Sequence, residues 1–134
     1  MAGETTITII GNLTRDPDLA FTDKGLAYAR FTVASTPRRF DPNTGAWEDG
    51  DALFMRCTAW RQIAENTAES LSKGARVVVT GRLKLNTWTG EDGQSHSAID
   101  LDVDEIGPSL RFATAKLAKA TRTTGKPASN EPPF

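Results

Sequence analysis

Phe54, Arg56 and Trp60 stand at alternate positions of the stretch DALFMRCTAW, Asp51 to Trp60. In a strand, alternate residues face opposite ways. The odd positions Leu53, Met55, Cys57 and Ala59 are apolar and form a core face. The even positions Phe54, Arg56, Thr58 and Trp60 then show water two rings with a cation between them. Each ring left bare forgoes burial worth roughly 1.5–3 kcal/mol, so a partner must cover the face or flat ligands must stack on it. Arg76 to Trp88, RVVVTGRLKLNTW, repeats the design, with Val77, Val79, Leu83 and Leu85 on the core side and Thr80, Arg82, Lys84, Asn86 and Trp88 outside.

Catalysis finds little support. His96 is the only histidine and falls beside Gly93, where a solvent-facing turn residue is expected. There is no CxxC, no HExxH and no glycine-rich phosphate loop opening a helix. Asp100, Asp102 and Asp104 alternate along one strand face, and ligands spaced that way spread too far to surround a cation. No metal or cofactor is expected. The lone Cys57 rules out an internal disulfide and reads as a buried small apolar residue.

The elements that must carry these side chains are mostly strands. TTITIIGNL, residues 5 to 13, is β-branched and apolar, and Asp16-Pro17 follows as a turn. A connection leads to a second strand, Leu26 to Thr36, with Ala27, Ala29, Phe31 and Val33 on the core side and Tyr28, Arg30 and Thr32 outside. Residues 37 to 50 are rich in turn formers and too long for a tight hairpin, yet contain Arg38, Arg39, Phe40 and Trp47, which suggests a binding finger. After the third strand, Ile63, Ala64, Thr67, Ala68 and Leu71 recur at helical spacing, predicting a helix over 62–73 that Lys73 and Gly74 close and that lacks a capping residue at its start. A fourth strand, a hairpin loop at Asp92-Gly93 and a fifth strand from Ala98 to Ile106 complete the set. Asp100, Asp102 and Asp104 make the fifth strand's outer face acidic, so that face is expected to lie away from any polyanion.

The 134 residues allow one domain, and a hydrophobic fraction of 38% points to a polar tail. No run approaches the ~18 apolar residues of a membrane span, and MAGETTITII lacks the form of a signal peptide, so a cytoplasmic chain is expected. The net charge is −1 and the pI about 5.8. Charge is segregated, however. Arg30 to Trp88 holds nine Lys/Arg against six Asp/Glu, whereas Glu91 to Glu105 holds six acids and no base. Local fields govern a binding groove more than totals do.

Strand, strand, strand, helix, strand, strand is the order of the all-β oligonucleotide/oligosaccharide-binding (OB) fold, a five-stranded barrel with one helix between strands three and four. Phe40, Phe54, Trp60 and Trp88 with Arg30, Arg38, Arg39, Arg56, Arg82 and Lys84 form the candidate nucleic-acid face. Aromatics interleaved with cations suit a single strand, whose unpaired bases can stack while its phosphates need positive charge. The competing readings are an OB module that binds protein or RNA, and a small metal-dependent nuclease using the acidic strand.

From about residue 4 to residue 112 the chain resembles the bacterial single-stranded DNA-binding protein family, in ITIIGNLTRDP, ARFTVAST, the third strand ending in AW, AENTAESLSKGARVVVTGRLK and NTWTGEDGQ. MAGETTITI, VASTPR and VDEIGPSL resemble its actinobacterial branch. The resemblance implies an OB fold assembled as a homotetramer, with single-stranded DNA wrapped around it without sequence preference. It implies base stacking on Phe40, which replaces a common tryptophan, and on Phe54, Trp60 and Trp88. It also implies a dimer contact through the first strand and a clamping strand near Pro108 to Phe112.

Residues 113–134 read as a disordered tail, rich in Ala, Thr, Lys and Pro. Family members end in an acidic tip closing on Pro-Phe that docks replication and repair enzymes. Pro133 and Phe134 match that tip, but Glu131 is its only acid and the linker is short and basic, so docking is weakened. Lys116, Lys119, Arg122 and Lys126 are alternative DNA contacts, and the short tail fits a paralogue or a phage-encoded version.

Overall fold

The computed structural model describes residues 3–120. Eight strands and one helix follow in the order β1 (Thr6–Leu13), β2 (Asp18–Phe21), β3 (Ala27–Ser35), β4 (Arg38–Asp41), β5 (Ala46–Asp49), β6 (Leu53–Trp60), α1 (Arg61–Ser70), β7 (Arg76–Thr89) and β8 (Ser95–Pro108). Five of them close a ring, β1-β7-β8-β6-β3 and back to β1. These are the five predicted strands, with α1 between the third and the fourth, so the chain has the OB topology. β6 and β8 run parallel, and the other ring pairings are antiparallel.

Period-two alternation supplies the core. Ile9, Leu13, Phe31, Val33, Cys57, Val77, Val79, Leu101 and Val103 point inward from all five ring strands, and Ala64 and Thr67 of α1 are buried as well. Cys57 is only 1% exposed, and burial, with the Asp100 charge adding to it, pushes its thiol up to about 12. An unfolded thiol ionises near 8.5. Above that pH the unfolded chain releases a proton that the folded chain keeps, so Cys57 makes stability fall as the pH rises from about 8.5 toward 12. Accordingly, a thiol reagent such as DTNB at pH 8 should leave the native protein unmodified and react at one site after denaturation; rapid reaction of the native protein would contradict the burial.

Several local expectations are corrected. Residues 18–21, read as connection, form β2, which pairs with β3 around a turn in which the Thr22 N–H donates to Leu26 O (2.9 Å) and the Gly25 N–H to Thr22 O (2.8 Å). Residues 37–50 are not an open loop: β4 and β5 pair as a hairpin of their own. The helix ends at Ser70, three residues early, because Leu71 turns extended and packs against the core. Lys73 therefore lies outside the helix, where its N–H donates to Asp16 Oδ1 (2.7 Å), and Gly74 takes φ 89° as its N–H bonds Leu13 O (2.9 Å). The missing start cap is as expected: Trp60 holds the N-cap position with no side-chain bond. Arg61 enters the helix at φ 62°, a left-handed conformation costing a side-chain-bearing residue roughly 1–2 kcal/mol.

Leu53, Leu85 and Ile99 are exposed rather than buried, contrary to their place on the apolar side of the alternation. β7 and β8 run beyond the barrel as a two-stranded arm with Leu85 opposite Ile99, so at that end their inward face has no core to meet. The arm closes as expected, with Gly90 N–H donating to Gln94 O (2.9 Å). The Gln94 N–H, and after it His96, hold the Asp92 carboxyl below the usual carboxylate range.

β8 ends at Pro108, and no strand forms over 109–112 in this single chain. The Ser109 N–H donates to Arg76 O (2.8 Å), and the Phe112 ring lies beneath the Arg76 and Arg111 guanidinium groups at 5.6 and 5.5 Å. Residues 113–120 carry neither helix nor strand, and the tip residues Pro133 and Phe134 lie outside the described residues. No helix among the described residues is long and apolar enough to cross a membrane.

Candidate nucleic-acid interface

The register brings most of the predicted site onto one outer face. β3 and β6 set Tyr28 opposite Trp60, Arg30 opposite Thr58, Thr32 opposite Arg56 and Ala34 opposite Phe54. Parallel pairing puts Asp102 of β8 beside Thr58, and β7 sets Arg82 opposite Asp102 and Lys84 opposite Asp100. Phe54, Trp60, Arg30, Arg56, Arg82 and Lys84 thus share a sheet face. Trp88 extends it along the projecting arm, and Arg38, Arg39 and Phe40 stand apart on the β4–β5 hairpin. Phe40, Phe54, Trp60 and Trp88 all remain between 40 and 63% exposed, so the fold leaves the four rings available to a ligand.

Each ring except Phe54 has a side-chain neighbour that fixes its plane. Tyr28 lies 5.5 Å from Trp60 at 38°, and Arg30 lies 5.3 Å from the Tyr28 centroid. Phe40 meets Trp47 edge to face at 5.5 Å across the hairpin, so these rings pack on each other and not on the barrel. His96 stacks on Trp88 at 5.9 Å and 25°, and its Nε2 is 3.2 Å from Asp92 Oδ1. His96 is therefore a strand residue facing a tryptophan, not a free turn residue. Such ring pairs contribute about 0.5–1.5 kcal/mol beyond their burial.

The acidic strand is not set aside from this face. β8 lies between β6 and β7, because the OB topology inserts the last strand between the third and the fourth. Its aspartates meet the cations directly. Arg56 Nη2 is 3.0 Å from Asp100 Oδ1, Lys84 Nζ is 3.7 Å from Asp102 Oδ2, and Arg82 Nε is 3.1 Å from Asp104 Oδ1. Asn86 Nδ2 donates to Asp100 Oδ2. Asp104 first, with Glu4 and Asp102, holds the Arg82 guanidinium more firmly charged than usual. On the hairpin, Arg38 pairs with Asp49 at 3.5 Å. Among the described residues no group of three His, Cys, Asp or Glu side chains is arranged to hold a metal ion.

Two features of the site had only faint sequence signals. Tyr28 stands at the outward parity of Arg30 and completes the aromatic pair with Trp60. Arg15, on the loop after β1, joins Arg30, Arg56 and Asp100 around a cleft of about 260 Å³ that Thr32 and Thr58 also line. Nothing in the local pattern around Arg15 marked it, since its approach to β3 and β6 depends on barrel closure.

The single-strand binding protein family model matches residues 4–109. A single-stranded DNA-binding protein of Mycobacterium tuberculosis is 58% identical over 132 residues, spanning 98% of this chain and 80% of that protein. Single-stranded DNA-binding protein 2 of Streptomyces coelicolor is 55% identical over 121 residues, spanning 90% of this chain and 61% of that protein. The crystal structure of a small single-stranded DNA-binding protein from Streptomyces coelicolor superposes with a TM-score of 0.70 at 39% identity, covering 81% of this chain and 96% of that one. With its five-stranded ring, its exposed ring-bearing face and these relatives, the chain belongs to the single-strand binding protein family.

Proposed function

We propose that this chain binds single-stranded DNA without sequence preference and protects it during replication, recombination and repair. The observation that carries the reading is the face shared by Phe54, Trp60, Arg30 and Lys84, extended by Trp88 along the arm. Unpaired bases stack on Phe40, Phe54, Trp60 and Trp88, each stack contributing about 1–3 kcal/mol whatever the base. Phosphates run past Arg30, Arg38, Arg39, Arg56, Arg82 and Lys84. The protein acts in the cytoplasm, on the nucleoid, and performs no chemistry on the strand.

Residues 1–112 form the binding and oligomerisation unit, and 113–134 a basic tail whose Pro133-Phe134 end docks partner enzymes weakly. The unit works as a homotetramer. Supporting this are the exposed Ile10 on β1, the outer edge of β1, unpaired over Thr6–Ile10, the bare Leu53 at the start of β6, and the bare Leu85 and Ile99 on the arm. Sedimentation of the protein titrated with oligo(dT) of increasing length, with tryptophan emission followed in parallel, tests both claims. A tetramer whose emission is quenched in proportion to bound strand is expected. Unquenched emission would leave an OB module with another partner.

A further inference from the structure

Four of the six cations on the candidate face are already ion-paired in the free protein. Arg38, Arg56, Arg82 and Lys84 each have a carboxylate within 4 Å, whereas among the described residues no ion pair engages Arg30 or Arg39. Three of their five carboxylate partners, Asp100, Asp102 and Asp104, lie on β8, the strand between the two ring-bearing strands; the others are Asp49 and Glu4. Asp100 and Asp102 are more deeply placed than Asp104. Asp100 is the more connected of the two. Its side chain is 20% exposed, it pairs with Arg56 through one oxygen and accepts from Asn86 through the other, and it borders both the Arg15 cleft and the groove beneath Tyr28 and Trp60.

A phosphate approaching Arg56 or Lys84 must share that cation with a carboxylate or displace it. Sharing weakens the charge-assisted bond, and displacement leaves an aspartate beside the incoming phosphate, where like charges repel. We propose, on the reading that this face binds single-stranded DNA, that Asp100 and Asp102 are built-in competitors of the DNA phosphates. They hold affinity below what the cations alone would give and leave the principal phosphate contacts on the sheet face to Arg30 and Arg15. Fewer phosphates are then neutralised than the number of cations suggests, and the salt dependence is correspondingly shallow, since each phosphate contact on a single strand adds about 0.7 to its slope.

Binding of oligo(dT) by the full-length protein is measured from 50 to 300 mM NaCl, a range chosen to span roughly the region where the slope is read, for wild type, Asp100→Asn, Asp102→Asn and Glu105→Gln. Asp100→Asn keeps the side chain's size and an oxygen for Arg56. Glu105→Gln removes the same charge elsewhere on β8, beside the cleft lined by Ile63 and Leu71 of the helix end, and controls for net charge. Asp100→Asn should tighten binding by about tenfold and steepen the slope by about 0.7, one regained phosphate contact. Asp102→Asn should act in the same direction through Lys84, and Glu105→Gln should change neither quantity. Equal gains in all three variants would reduce the effect to net charge and overturn the proposal, as would unchanged or weaker binding in both aspartate variants with wild-type melting. Wild-type protein that binds no oligo(dT) would overturn the DNA reading itself, a result separate from these.

Discussion

Replacing Trp60 and Trp88 together by alanine should weaken oligo(dT) binding by about 2–6 kcal/mol, roughly thirty-fold to twenty-thousand-fold. Each ring stands free on its outer side and is braced on another, Trp60 by Tyr28 and Trp88 by His96. A braced ring keeps its plane before a base arrives, so little ordering cost is left for the moment of binding. Because a base of any kind presents a flat face, the loss should be similar on oligo(dT), oligo(dC) and mixed sequence. Trp60→Phe should retain most of the affinity, since it keeps a ring opposite Tyr28. Neither substitution enters the core, so melting should shift by only a few degrees. Titration with a fluorescently labelled oligonucleotide reads the effect without relying on the removed tryptophans. A double variant that binds as wild type would remove the stacking role assigned to both rings.

Gly81→Ala should cost about 3 kcal/mol of folding stability, at the upper end of what overpacking does. Gly81 lies at the irregularity of β7, where the pairing with β8 slips between Thr80 and Gly81. A methyl group there would overlap the Asp102 carbonyl oxygen, with the carbonyl carbon at 2.9 Å and Val103 Cα at 3.1 Å. These are backbone atoms of the neighbouring strand, so no side chain can swing aside. β8 would have to move between the buried Leu101 and Val103, and Asp102 would move with it. At fixed protein concentration the midpoint of thermal unfolding should fall by roughly 10–20 °C. An unchanged midpoint would mean that β8 yields freely at this point and that the tight approach is not a constraint.

Local alternation carried the five ring strands, because a residue's inward or outward direction follows from its neighbours in sequence alone. Tyr28, Phe54, Trp60, Lys84 and Trp88 could therefore be put outside before any topology was known. Alternation does not say where a barrel ends. Leu85 and Ile99 keep the inward parity of Leu83 and Leu101, but they lie on the arm, past the last layer of core. Nor does it set which strands become neighbours across the sheet. The third and fourth predicted strands have matching outer faces, yet β8 lies between them and brings three carboxylates among the cations. β2, β4 and β5 are four residues each, too short for a period to stand out. Arg61 adopts a left-handed conformation with no glycine to announce it.

The placement of Asp100 and Asp102 has a consequence for double-helical DNA. A duplex offers the same backbone charge as a lone strand but keeps its bases shut away in the stack. On this surface it would find most arginines already occupied and could offer nothing to the exposed tryptophans. Discrimination between melted and intact DNA would then need no lock for one form. It would follow from withholding the attraction that both share and rewarding only what melting uncovers.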